Sequence, residues 1–134
     1  MVTSLMCIAV AVYFEARGEP SAGQIAVAHV IQNRIEDPRY PDPACDVVKQ
    51  GYYWNGVPVR NKCQFSFYCD GKSDNPHDKQ GWYNALYIAH LSESVPDTTE
   101  GATHYHSTKV FPEWAYTGDV TTKINEHIFY IGVN

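Results

Sequence analysis

A carboxylate stands where a helix should be burying hydrocarbon. In Tyr13-Phe14-Glu15-Ala16-Arg17-Gly18-Glu19, Glu15 extends a stripe of Leu5, Ile8, Ala9 and Val12, spaced i, i+3, i+4 and i+7. Gly18 then offers a helix stop. A glutamate at the core-facing end of a helix is desolvated, which disfavours its charged form and raises its pKa. Such a group can hold a proton near neutral pH and deliver it to a leaving group. The same position also fits a glutamate paired with Arg17 or with backbone amides, because structural ion pairs perturb carboxylates too.

Other residues add to this chemistry. Glycosidases that act by retention or inversion set a second carboxylate about 5–9.5 Å from the first. Glu19 and Asp70 are the candidates, with Glu19 read as a structural group that holds the loop or caps the next helix. Gln64-Phe65-Ser66 sets an amide and a hydroxyl beside aromatic faces, which suits sugars with their rim of hydroxyls and their C–H faces. His104 and His106 fall on one side of an extended segment and Tyr105 on the other. With His90 or His127 the two histidines could make a zinc site, but there is no HExxH, so hydrogen-bonding roles are preferred. Trp114, after Pro112, is either a stacking surface or a lid on the core.

The elements that must position these groups are mostly helical. The first helix runs up to Glu15. Ser21-Ala22-Gly23-Gln24 resembles a capping box opening a second helix to about Ile35, whose near-continuous apolar residues put it at the centre of the fold. A helical turn is expected from Cys45 to Gln50, and a long aromatic, loop-like stretch from Gly51 to His77. Gln80 to Glu93 returns to helical spacing. The last third predicts two short paired strands, around Thr103–Thr108 and Ile124–Ile131, separated by Phe111-Pro112-Glu113-Trp114. The fold class is α+β, mainly helical, in one domain over residues 1–134.

Composition narrows the function. Residues are 44% hydrophobic and 19% charged, which is globular, and a net charge of -5 gives no footprint for nucleic acid or anionic lipid. No apolar run approaches the ~20 residues needed to insert through a bilayer, and the first residues lack a signal-peptide pattern. Cys7 reads as a small buried apolar residue; a disulfide joining two of Cys45, Cys63 and Cys69 is open, and the sequence does not choose the pair. A monomer is expected.

Six segments in order resemble the cell-wall hydrolase family that includes the catalytic domains of spore cortex-lytic enzymes. They are Tyr13 to Glu19, Gly23 to Ala28 with Asn33-Arg34, Cys45-Asp46-Val47-Val48, Cys63-Gln64-Phe65-Ser66, Gly101 to His106, and Pro112-Glu113-Trp114-Ala115. The resemblance implies a small lysozyme-like domain of the lytic-transglycosylase kind, with peptidoglycan glycan strands as partner and no metal or organic cofactor. It makes Glu15 the catalytic acid, with Gln64, Ser66, Thr103 and Tyr105 along the glycan groove. From the residues themselves, Phe65 and Trp114 are added as substrate-binding and Arg17 and Glu19 as structural groups near the site.

The implied reaction is cleavage of the β-1,4 bond between N-acetylmuramic acid and N-acetylglucosamine. Glu15 would protonate the glycosidic oxygen and then draw a proton from the muramic acid 6-hydroxyl, closing a 1,6-anhydro ring. Rival readings are a muramidase that uses water, a glycan-binding module without catalysis, and a zinc hydrolase. The action is expected at the cell wall, in the periplasm or outside the cell. A phage endolysin made in the cytoplasm and released by another factor fits the missing leader.

Overall fold

In the computed structural model, which describes residues 3–40 and 43–133, four helices carry the core. Helix α1 (Ser4–Ala16) is capped by Thr3, whose Oγ1 accepts the Met6 N–H at 3.1 Å. It buries Ile8, Ala9, Val12 and Ala16, and also Cys7, Ala11 and Tyr13, so the buried face is broader than the sequence stripe. Helix α2 (Ser21–Glu36) packs beside α1 with Ala26, Val27, Ala28, Val30 and Ile31 fully enclosed. Helix α4 (Lys79–Ser92) closes the bundle through Ala85, Ile88 and Ala89, and short α3 (Ala44–Val48) adds Val47 and Val48. Small side chains at Ala9, Ala11, Ala26, Ala28 and Ala89 occupy the interior of this bundle.

The capping box at Ser21 does not form. Pro20 is the N-cap, and no side chain caps it. Gln24 instead turns inward: its Nε2 donates to the Arg17 and Glu19 carbonyls at 3.3 and 2.9 Å, and its Oε1 accepts from Asn84 at 2.7 Å. The amide therefore ties the α1–α2 connection to α4.

Part of the expected aromatic loop is a hairpin. Strands β1 (Gly51–Trp54) and β2 (Val57–Cys63) pair antiparallel around Asn55-Gly56, both at positive φ (52° and 79°). That is the two-residue turn that Asn-Gly favours. A single-turn 3₁₀ helix, Ser66–Cys69, follows.

The C-terminal third forms three strands, one more than expected. Strand β5 (His127–Ile131) lies between β3 (His104–Ser107) and β4 (Asp119–Ile124), both antiparallel to it. The β4–β5 turn carries Asn125 at φ 52°. One face of the sheet sets Phe129 against Ala26 and Val30 of α2, and the other packs Tyr130 with Ala115 and Val133.

Two disulfides bind these pieces. Cys7 is not a free apolar residue; it is bonded to Cys45, joining α1 to α3. Cys63 and Cys69 form the second pair, fastening the end of β2 to the 3₁₀ turn. Among the described residues no helix is long and apolar enough to cross a membrane.

Candidate active site

Helix α1, helix α2 and the sheet meet at a small cavity of about 100 Å³. It is lined by Glu15, Arg34, Gln64, Phe65, His104, Tyr105 and Trp114. Glu15 arrives on the last turn of α1 and is partly buried. Its Oε1 accepts the Tyr105 hydroxyl at 2.6 Å. Burial raises the Glu15 pKa, and the Tyr105 hydrogen bond partly opposes that rise. Because Oε1 is already an acceptor, a proton held by Glu15 belongs on Oε2, which has no hydrogen-bond partner among the described residues. Burial thus favours the protonated carboxyl, the Tyr105 bond orients it, and one oxygen is left open.

Arg17 does not pair with Glu15. It is exposed and donates to the Tyr13 hydroxyl, so the ion-pair account of Glu15 does not hold. Glu19 is turned away as well: its Oε1 lies 3.3 Å from Nδ1 of His127 on β5, which ties the α1–α2 connection to the sheet. Gly23 makes room for it, because a Cβ there would lie 2.8 Å from Glu19 Oε2. Asp70 is outside the cavity and accepts the Lys72 N–H. Glu15 is the one carboxylate among the described residues that line the cavity.

Arg34, which belongs to one of the family-like segments but carries no expected site role, is buried and deep in this wall. Its Nε donates to the Thr103 carbonyl at 2.7 Å, and its Nη1 and Nη2 reach Gln50 and Gln64 at 3.4 and 3.3 Å. One guanidinium therefore joins α2, the first residue before β3 and the base of the hairpin. The signal was available: Val27, Ile31 and Arg34 continue one helical stripe, as Ile8, Val12 and Glu15 do on α1. Asn33 beside it donates to Asp97, Thr99 and the Ala102 carbonyl, fixing the loop that leads into β3.

The strand assigns its residues to two sides. His104 and His106 share a face with Tyr130, and His106 Nε2 bonds the Tyr130 hydroxyl at 2.8 Å. His104 also lines the cavity, with Trp114 at 5.0 Å between ring centroids. Burial, with Arg34 and Arg39 nearby, pulls the His104 pKa down to about 4, so it is neutral at physiological pH. His127 turns to Glu19, and His90 is exposed on α4. Among the described residues no three His, Cys, Asp or Glu side chains are arranged to hold a metal ion.

Of the groove residues expected from the sequence, Gln64, Phe65, Tyr105 and Trp114 come together around Glu15. Thr103 is buried and contributes its carbonyl to Arg34, and Ser66 is exposed at the start of the 3₁₀ turn; neither lines the cavity. Trp114 is both wall and lid, since its ring also packs edge-on against Tyr130 at 5.3 Å.

A helix-borne acid tuned by burial, facing a sheet tyrosine and an amide–aromatic wall, defines a class. Residues 18–130 match the model of the cell wall hydrolase family, and the chain belongs to that family. Among curated relatives, the spore cortex-lytic enzyme of Halalkalibacterium halodurans is 30% identical over 126 residues, covering 93% of this chain and 34% of the relative. That of Oceanobacillus iheyensis is 31% identical, covering 93% and 40%. The chain thus spans roughly a third to two fifths of those proteins. The catalytic domain of Bacillus cereus SleB superposes with a TM-score of 0.71 at 27% identity, over 96% of this chain and 89% of that one. The catalytic domain of the germination-specific lytic transglycosylase SleB from Bacillus anthracis gives 0.72 at 27%, over 96% and 93%. The matched family segment begins at Gly18, so the role of Glu15 rests on its geometry and on the motif around it.

Proposed function

We propose that this chain is the catalytic unit of a peptidoglycan-cleaving enzyme that breaks the β-1,4 bond between N-acetylmuramic acid and N-acetylglucosamine with Glu15 as its acid. The carrying observation is the Glu15–Tyr105 pair, which couples a raised carboxyl pKa to a fixed orientation with one oxygen free. Glu15 protonates the glycosidic oxygen from Oε2. Charge then builds at the anomeric carbon, and the carboxylate left behind is stabilised by the Tyr105 hydroxyl donor. Gln64, Phe65 and Trp114 offer the amide and the aromatic faces that a sugar ring needs on either side of the acid.

Glu15, the one carboxylate among the described residues that line the cavity, favours the transglycosylase route over hydrolysis. A hydrolase that holds its water on a second carboxylate needs that group within about 10 Å of the first. Here Glu19 is engaged by His127 and Asp70 by a backbone amide. Intramolecular attack by the muramic acid 6-hydroxyl needs no second acid, because Glu15, once deprotonated, takes that proton itself. The lytic transglycosylase named among the structural relatives fits this choice.

The two disulfides support work in an oxidising compartment, on the wall side of a membrane. No feature of the fold bears on the phage-lysin reading. The test is digestion of purified peptidoglycan by wild type and Glu15→Gln, read by mass spectrometry of the muropeptides. Anhydro-muropeptides from wild type alone are expected. Reducing ends would make the enzyme a muramidase, and products from Glu15→Gln would remove Glu15 from the acid's role.

A further inference from the structure

The cavity beside Glu15 holds about 100 Å³, well under the ~300 Å³ at which pockets begin to enclose a ligand. A glycan polymer that reacts there must therefore be held by surface beyond the cavity. The β1–β2 hairpin begins at its wall. Its base is the Gln50–Gln64 pair, joined by the Gln64 N–H to the Gln50 carbonyl at 3.0 Å, and both side chains reach Arg34 within the site. The Cys63–Cys69 disulfide anchors the same end.

Side chains alternate along a strand, so Tyr52 and Trp54 share one face of β1. The register shifts between the Gly51–Cys63 and Tyr53–Pro58 pairs, with the extra residues on β2, and Trp54 pairs Val57 at the turn end. Val57, paired with Trp54, joins that face. The opposite face sends the Tyr53 hydroxyl back to the Lys49 carbonyl. The two aromatics are strongly exposed, Tyr52 at 74% and Trp54 at 75%, with the aliphatic Val57 at 63% beside them. Isolated apolar residues on a surface need no account, but a contiguous aromatic row on a two-stranded arm marks a binding surface. The row stands on the hairpin whose second strand ends at Cys63, next to Gln64 of the cavity wall.

We propose that Tyr52 and Trp54 form a stacking platform for sugar rings of the glycan strand distal to the bond being cleaved. The platform lets the enzyme grip a polymer that its small cavity cannot enclose. This inference rests on the glycan-cleaving reading above. Ring faces would stack on Trp54 and Tyr52 through their C–H groups, and the Gln50–Gln64 amides would meet the hydroxyls nearer the acid.

The test is co-sedimentation with purified insoluble peptidoglycan, in the Glu15→Gln background so that the wall is not consumed. Adding Trp54→Ala or Tyr52→Ala should weaken binding about fivefold or more each, the effect of truncating an aromatic anchor. Trp54→Tyr should bind within about twofold of its parent, because a ring is kept. Superimposable curves for parent and alanine variants, with unchanged circular dichroism, would overturn the proposal. So would a Trp54→Tyr variant as weak as Trp54→Ala. A parent that elutes as a dimer and becomes a monomer with Trp54→Ala would reassign the face to contact between copies. Wall lysis by Glu15→Gln is a separate failure: it would discard the acid and leave the sedimentation result readable.

Discussion

Removing one oxygen atom from Tyr105 should shift the pH range in which the enzyme works. The phenol donates to Glu15 Oε1 at 2.6 Å, and burial together with the adjacent Glu15 raises the Tyr105 pKa well above 10, so it stays a donor throughout the working range. A hydrogen bond to an ionised group contributes about 1.5–3 kcal/mol and one between neutral groups about 0.5–1.5 kcal/mol. The difference, about 1 kcal/mol, is the preference of the phenol for ionised Glu15, and at 1.36 kcal/mol per unit it is worth about 0.7–1 pKa unit. Tyr105→Phe takes this preference away and leaves desolvation unopposed, so the Glu15 pKa rises. An acid catalyst must be protonated, and the alkaline limb of kcat/KM reports its pKa in the free enzyme. That limb should therefore move up in pH by about 0.7–1 unit, whatever happens to the plateau rate. The assay is release of soluble muropeptides across pH 4 to 9 at subsaturating peptidoglycan. The ring keeps its neighbours Phe129 and His127 at 5.6 and 5.2 Å, so the fold should survive the change. A limb that stays put, or moves down, would refute the claim that Tyr105 tunes this acid.

Three further outcomes are expected. Glu15→Gln should be as stable as wild type or more so at pH 7, because a carboxyl whose folded pKa is raised loses stability as pH climbs above its unfolded value near 4.5. The difference should vanish below that pH in paired thermal melts, and a loss above about 1 kcal/mol at pH 7 would contradict it. His104 has the opposite sign: with a folded pKa of about 4 against 6.5, the unfolded chain binds the extra proton, so its contribution is present above pH 6.5 and lost on the way down to 4. Urea midpoints at pH 7 and 4.5 should converge less for wild type than for His104→Gln, and equal losses would count against the buried neutral histidine. Replacing Cys7 and Cys45 together by alanine should lower stability by up to about 4 kcal/mol, from the 38-residue separation they close, read by urea unfolding. An unchanged midpoint would mean that α1 and α3 are held without the bond.

What the sequence disclosed about this site followed helical period. Glu15 is legible because it interrupts an apolar stripe, and Arg34 does the same on α2, where the motif alone assigns it no site role. The Asn55-Gly56 turn was also written in the sequence, but aromatic composition drew attention away from its alternating flanks. The two-strand expectation for the last third fell one short because β4 is largely exposed and lacks an apolar alternation, so the expected Ile124–Ile131 strand takes in only its last residue, the turn and β5. Other features had no local signal. The Cys7–Cys45 bond spans two helices, and the apolar surroundings of Cys7 describe a free thiol as well as a bridged one. Gln24 fitted a capping pattern three residues after Ser21, yet Pro20 took the cap position and freed the amide to clamp the turn.

The environment of Glu15 is therefore a product of long-range contacts laid on locally encoded elements. Glu15 and Tyr105 are 90 residues apart, and Arg34 meets Thr103 across 69. Both contacts bridge the helices and the C-terminal third, where the sheet packs on α2 through Phe129 against Ala26 and Val30. That docking also desolvates Glu15, and the same closure brings in the phenol that limits the rise in its pKa. A change that loosens the sheet from the helices, such as Phe129→Ala, should therefore lower the Glu15 pKa as it costs about 3–5 kcal/mol of stability. The alkaline limb of activity would then move down, opposite to Tyr105→Phe. Matching shifts in the two variants would show that burial and the phenol do not act on Glu15 as separate forces.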